Sequence, residues 1–107
     1  MQPIAEIAFD LADSDDKMRA RLFAPEFDAS MNAWGCVFEI DEPISARRTI
    51  YGANSLQALI LGLKIMAASL YGSELYEQKQ FGLDGEFGGN LSVPAPAVFW
   101  ETAPYPF

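Results

Sequence analysis

The most regular hydrophobic pattern of the chain lies in its middle, between Asn54 and Tyr71. At about 100° per residue, one face of a helix collects a broad apolar stripe there. The stripe consists of Leu56, Leu59, Ile60, Leu63, Met66, Ala67 and Leu70. Asn54 is a suitable N-cap, and Gln57 stands where a capping box places Glu or Gln. The pattern therefore predicts one amphipathic helix that packs on a core through this stripe.

The opposite side of the predicted helix is also apolar, although an exposed helix is normally polar there. Its residues are Ala58, Leu61, Gly62, Ile65 and Ala68. We expect either another part of this chain or a second chain to cover this side. Ala58, Leu61, Ile65 and Ala68 are therefore candidates for a face that joins two copies. Gln57, Lys64 and Glu74 keep each apolar run well below the roughly 20 residues that cross a membrane.

The sequence before the helix alternates between apolar and polar positions, as half-buried strands do. The predicted strands are Ile4–Leu11, Met18–Phe23, Trp34–Ile40 and Ile44–Tyr51. A polar turn lies at 13–16, and Pro25 begins a predicted loop over 25–32. Arg48 falls on the apolar side of the last strand, which conflicts with a fully buried face there. Short connections favour an antiparallel meander of about four strands.

The sequence after the helix begins with Gly72, which is unfavourable in a helix interior and predicts a break. A short helix is expected over 73–80, a glycine-rich loop over 82–90, and a short strand at Leu91–Val93. The remaining residues form an aromatic tail. The chain is thus predicted to be one α+β domain over residues 1–107, with a long helix packed across one face of an antiparallel sheet.

Charge and composition narrow the classes of function. The chain has 15 acidic and 7 basic residues, a net charge of -8, and 50% hydrophobic residues among 107. This balance argues against nucleic-acid binding, which needs clustered Lys and Arg. It favours a protein partner with a basic surface, although the charge also serves solubility. The first residues show neither a basic region nor an apolar run, so we expect a cytoplasmic protein without a signal peptide.

Candidate catalytic chemistry is sparse. The chain has no histidine, so the commonest general base and metal ligand are missing. Its one cysteine, Cys36, lies between Trp34 and Phe38 on an apolar strand face, which indicates a buried structural residue. The carboxylates between Asp10 and Asp16 do not have the spacing of a calcium loop. We therefore expect no enzyme activity, no cofactor and no metal site.

Several short motifs resemble a family of short bacterial proteins classed only as a domain of unknown function. They are the segment Gly52–Leu59 that opens the helix, Phe23-Ala24-Pro25-Glu26 and Trp34-Gly35-Cys36 before it, and a Gly-Gly…Pro segment after it. The resemblance covers roughly residues 21–94 and implies a bacterial or phage origin. It supplies no activity and no catalytic residues.

The sequence favours a non-enzymatic acidic binding protein, for example a small inhibitor of the immunity or anti-defence type that blocks a basic site. The candidate contact residues are Asp13, Asp15, Asp16, Asp41, Glu42, Asp84, Trp100 and Tyr105. The aromatic members are included because Trp and Tyr are enriched at interface hot spots. The alternative is a structural homodimer of unknown role that uses the second side of the helix.

Overall fold

The computed structural model describes residues 2–95, and they form an antiparallel sheet with one main helix packed on it. The elements in chain order are β1 Pro3–Leu11, β2 Ser14–Phe23, β3 Glu26–Asp28, β4 Ala33–Ile40, β5 Ala46–Gly52, α1 Ser55–Tyr71, α2 Glu74–Glu77, β6 Phe81–Leu83 and β7 Glu86–Phe87. The predicted α+β class is confirmed, but the number of strands differs.

The four predicted strands are all present, and each pairs with the next in the antiparallel sense. β1 pairs with β2, β2 with β4, and β4 with β5. Arg48 lies opposite Phe38, so the register holds with Arg48 on the apolar side. Its side chain stays exposed because β5 pairs only with β4 among the described strands. An edge strand tolerates an inward-facing charge better than a central strand does.

Three short strands lie in segments that were predicted to be loops. β3 pairs with the first half of β4, where the Phe27 and Trp34 rings meet edge-on with centroids 5.8 Å apart. β6 pairs with the end of β1, and β7 pairs with β6. Asp84 and Gly85 connect β6 to β7 with φ angles of 52° and 76°, and positive φ at both central positions is typical of a two-residue hairpin turn. The strand predicted at Leu91–Val93 is absent.

The second half of the predicted stripe, Met66, Ala67 and Leu70, is buried in the core as expected, but the first half approaches the sheet through small residues instead. Ala58 is fully buried, and a Cβ at Gly62 would lie 2.9 Å from the Cys36 Sγ atom on β4. Leu56 and Ile60, predicted to face the core, are 64% and 45% exposed. Small side chains allow the closest approach of helix and sheet, so they occupy the contact although larger residues dominate the periodic stripe.

The predicted helix boundaries are confirmed at the level of individual hydrogen bonds. The Asn54 Oδ1 atom accepts from the Gln57 backbone N–H at 2.8 Å, and the Gln57 side chain accepts from the Ala53 N–H. Gly72 is the C-cap, and Ser73 caps the short helix α2. Within residues 2–95, no helix has the length and apolar character that a membrane span requires.

Candidate functional site

The outer face of the sheet, opposite the helix, carries a lattice of alternating charges. Alternation along β1, β2, β4 and β5 turns every second side chain to this face. The ion pairs are Lys17 with Asp10, Arg19 with Glu6, Arg21 with Glu6, Glu39 and Asp41, and Arg47 with Glu39. The Arg47–Glu39 pair joins directly opposite residues of β4 and β5.

Arg21 and Asp41 form the most highly connected pair of this lattice. The Arg21 guanidinium donates to both carboxylate oxygens of Asp41, at 2.7 and 3.2 Å. These bonds lower the pKa of Asp41, and the Arg19 backbone N–H adds a longer one at 3.4 Å. The pKa of Asp10 is lowered in the same way by Lys17 and by the Gly85 backbone N–H, which donates at 3.0 Å. These contacts favour the ionised forms of Asp10 and Asp41.

The lattice contains equal numbers of acidic and basic residues. Its four carboxylates and four cations cancel. Subtracting them from the 15 acidic and 7 basic residues of the chain leaves 11 acidic and 3 basic residues elsewhere, which accounts for the net charge of -8. The excess negative charge therefore lies outside the centre of the sheet face.

Part of that excess is collected at the end of the sheet where the β1–β2 turn meets the β4–β5 turn. Asp16 and Glu42 line one open groove of about 660 Å³. Asp41, Lys17 and Arg19 of the ion-pair lattice line the same groove. Asp13 lines a second groove of about 340 Å³, and both grooves share Leu11 and Pro43. We call the exposed carboxylates Asp13, Asp15, Asp16 and Glu42 the acidic end of the sheet.

The other predicted contact residues are distributed differently. Asp41 lines the same groove as Asp16, but its oxygens are occupied by Arg21. Asp84 lies in the β6–β7 turn and lines neither groove. Trp100 and Tyr105 lie outside the described residues. The structure therefore places four of the six predicted acidic residues, Asp13, Asp16, Asp41 and Glu42, on the two adjoining grooves. Asp15 is exposed next to Asp16 at the start of β2.

The predicted oligomer face is largely covered by the chain itself. Ala58 has no exposed surface, so it cannot contact a second copy in this fold. Leu61, Ile65 and Ala68 are half-buried, and Ile65 packs against the core. The outward apolar side chains of the helix are instead Leu56 and Ile60.

Cys36 has the environment of a structural residue. It is fully buried, its Sγ–H donates to the Phe23 carbonyl oxygen at 3.3 Å, and burial raises the pKa of the thiol. A raised pKa disfavours the nucleophilic thiolate. Among residues 2–95, no group of three or more metal-ligating side chains is close enough to hold an ion.

The sequence did not reveal that Tyr71 and Tyr76 hold the chain after β7 in place through their hydroxyl groups. The Tyr76 hydroxyl donates towards the Gly88 and Gly89 carbonyl oxygens, at 3.1 and 2.8 Å. The Tyr71 hydroxyl accepts from the Leu91 backbone N–H at 3.0 Å. Together they fasten the chain after β7 to the two helices. In the sequence, the only sign of this role was that both tyrosines lie close to the helix break at Gly72.

Comparison with known proteins gives a family but no activity. No curated protein and no solved structure matches the chain. A family model described as a domain of unknown function, DUF6968, matches residues 5–95. The match includes most of β1, so it extends further towards the N-terminus than the motif resemblance did. The chain therefore belongs to the DUF6968 family.

Proposed function

We propose that the protein is a non-enzymatic binding protein whose acidic end blocks a basic site on a partner protein, as inhibitors of the immunity or anti-defence type do. One observation carries the proposal. The sheet face neutralises its own charges through ion pairs, whereas the acidic end presents exposed carboxylates around two adjoining grooves. The acidic residues outnumber the basic residues that can pair with them within the fold. This excess negative charge remains available to a partner.

Such a surface changes how fast the protein meets a partner and which partner it selects. An acidic patch speeds association with a basic one and disfavours acidic competitors. Asp13, Asp16 and Glu42 supply the charge, and Leu11 and Pro43 supply apolar surface between the grooves. Asp41 has a supporting role, because its bonds to Arg21 fix the turn that carries Glu42.

The proposal is tested by affinity capture from a host lysate at physiological salt, with the captured protein identified by mass. The association rate of that protein is then measured with the double variant Asp16→Asn, Glu42→Gln. We expect a rate several-fold below that of the parent, and a weaker dependence on salt, because two charges of the encounter surface are gone.

The matched control is the double variant Glu26→Gln, Glu86→Gln, which removes the same charge from exposed positions that line neither groove. We expect a rate close to that of the parent. Equal slowing by the two variants would mean that overall charge, not the acidic end, governs the encounter. Capture of nothing but basic polymers at low salt would refute the proposal.

A homodimer is the alternative, and the exposure of Leu56 and Ile60 is the observation that favours it. A second copy could cover these side chains. Light scattering at micromolar concentration distinguishes the two functions, because the inhibitor proposal needs no self-association. A dimer that is weakened by Leu56→Lys would support the alternative, and a monomer would exclude a tight dimer.

A further inference from the structure

The apolar stripe of α1 is covered at one end and open at the other. Leu56 is 64% exposed and Ile60 is 45% exposed, whereas Ala67 and Leu70 are 0% exposed. Leu63, between them, is half-buried. Leu56, Ile60 and Leu63 follow the spacing i, i+4, i+7 and therefore form one line along the helix. Burial thus increases along a single face from the start of the helix to its end.

The chain after β7 lies against the covered end of this line. The Leu91 N–H donates to the hydroxyl of Tyr71, the last residue of α1. Two residues later, Val93 lines an apolar groove of about 240 Å³ together with Leu63 and Met66. The chain therefore runs from the end of the helix back towards its start, and Leu91, Val93 and Ala95 are all buried.

The groove beside the helix is bounded on its other side by the first two strands. Ala5, Ile7 and Leu22 line it, and Ala5 is exposed although it lies on the inner face of the sheet. The helix rests mainly on β4 and β5 and contacts β2 much less, so the groove remains open between the helix and the first two strands. Leu56 and Ile60 stand further along the helix, in the direction in which the chain runs at Val93.

We propose that this groove, with Leu56 and Ile60, is a docking site for residues 96–107 of the same chain, which lie outside the described residues. The reach is sufficient, because twelve residues span up to about 40 Å and Leu56 is only about 10 Å beyond Leu63 along the helix axis. The composition fits an apolar groove. The segment contains Val98, Phe99, Trp100, Tyr105 and Phe107, with Glu101 as its one charged side chain.

Aromatic side chains have large apolar surfaces, and burying them stabilises a docked segment. The inference does not depend on the acidic end or on any partner, so it stands or fails separately from the proposed function. The competing occupants of the site are a second copy of the chain and solvent.

The test uses the tryptophan fluorescence of the full chain. Of the two tryptophans, Trp34 is replaced by Phe, so that Trp100 alone reports. We expect emission shifted to the blue of the unfolded protein and weak quenching by acrylamide. Ile60→Lys in this background should shift the emission to the red and increase the quenching. Thr49→Lys, which adds the same charge at an exposed position of β5, should change neither.

Three results would overturn the proposal. The first is solvent-like emission from Trp100 in the Trp34→Phe protein. The second is blue emission that neither Ile60→Lys nor Leu56→Lys alters, which would place the segment elsewhere. The third is a blue shift that appears only as protein concentration rises, which would assign the site to a second copy. Leu56→Lys serves as the second variant because Leu56 is the more exposed position, so the fold tolerates the change better.

Discussion

Gly62 of the helix lies directly above Cys36 of β4, so closely that a Cβ at position 62 would be 2.9 Å from the Cys36 Sγ atom and 3.2 Å from its Cβ. This contact sets the distance between the helix and the sheet. It also explains why the helix tolerates a glycine in its interior, since any side chain there would push the two layers apart.

The contact predicts that the effect of a substitution at Gly62 on stability depends on which residue occupies position 36. Gly62→Ala should lower the free energy of unfolding by about 1 kcal/mol, because overpacking costs roughly 1–3 kcal/mol and exceeds the gain of about 1 kcal/mol in helix propensity. A Cys36→Ala background removes the 2.9 Å contact with Sγ and keeps the 3.2 Å contact with Cβ, so Gly62→Ala should cost less there than in the parent. Urea unfolding of the four proteins measures the coupling. Equal effects in the two backgrounds would show that the Gly62–Cys36 contact is not the constraint.

The hydrogen bond between Tyr71 and Leu91 predicts a large effect for the loss of one oxygen atom. Tyr71→Phe leaves the buried Leu91 N–H without this acceptor, which should cost about 1–3 kcal/mol. The amide of Leu91 should then exchange with solvent faster. Tyr51→Phe is the matched control. Its hydroxyl lies 3.4 Å from Asp28 at the surface, so the change should stay within about 0.5 kcal/mol. Similar losses of stability in Tyr71→Phe and Tyr51→Phe would contradict a special role for the bond between Tyr71 and Leu91.

The Arg21–Asp41 pair predicts how stability changes in acid. The folded state lowers the pKa of Asp41, so its contribution is present above the unfolded pKa near 3.9 and is lost as pH falls through the lower folded pKa. Asp41→Asn should cost less than about 1 kcal/mol at neutral pH, because the pair is partly exposed. The gap between parent and variant should close on acidification.

Unfolding by urea between pH 7 and pH 2 measures that gap. Asp10 and Asp28 also have lowered pKa values, so the Asp41→Asn protein should still lose stability in acid, but less steeply. Glu42→Gln removes a neighbouring exposed carboxylate without touching the Arg21 pair, and we expect it to follow the parent. A constant gap between parent and Asp41→Asn across the whole range would exclude the linkage.

The N-cap of α1 predicts a difference between two small substitutions. Asn54→Ala removes the acceptor of the Gln57 N–H and should cost about 1 kcal/mol, whereas Asn54→Gly should cost only a few tenths. Glycine adopts the extended N-cap backbone and leaves the amide open to water. Thermal unfolding of both variants provides the comparison, and the cap interpretation fails if glycine is as costly as alanine.

Local patterns in the sequence were sufficient to predict the elements in which apolar and polar residues alternate with a clear period. The four longer strands and the helix were predicted, because alternation and capping depend on residues close in the chain. The hairpin at Asp84–Gly85 was missed although its turn residues were visible, since the strands on either side are too short to alternate. β3 could not be found in this way, because three residues are held only by pairing with β4.

For the candidate site, the sequence identified acidic residues but not their grouping. Asp16 and Glu42 are 26 positions apart and meet only because β1, β2 and β4 lie side by side. Asp41 was one of the contact candidates, and its pairing with Arg21 became visible only when the β2–β4 register was known.

By itself, the sequence determined that an amphipathic helix starts after the N-cap Asn54 and ends at Gly72. It also determined that the helix accompanies a sheet whose strands alternate between apolar and polar residues. Only the tertiary structure decided that, in the first half of the helix, the small residues Ala58 and Gly62 meet the sheet in place of Leu56 and Ile60, whereas Met66, Ala67 and Leu70 are buried as the pattern predicted. The physical reason is that periodicity reports which residues are apolar, whereas contact between two layers is decided by how closely their backbones can approach.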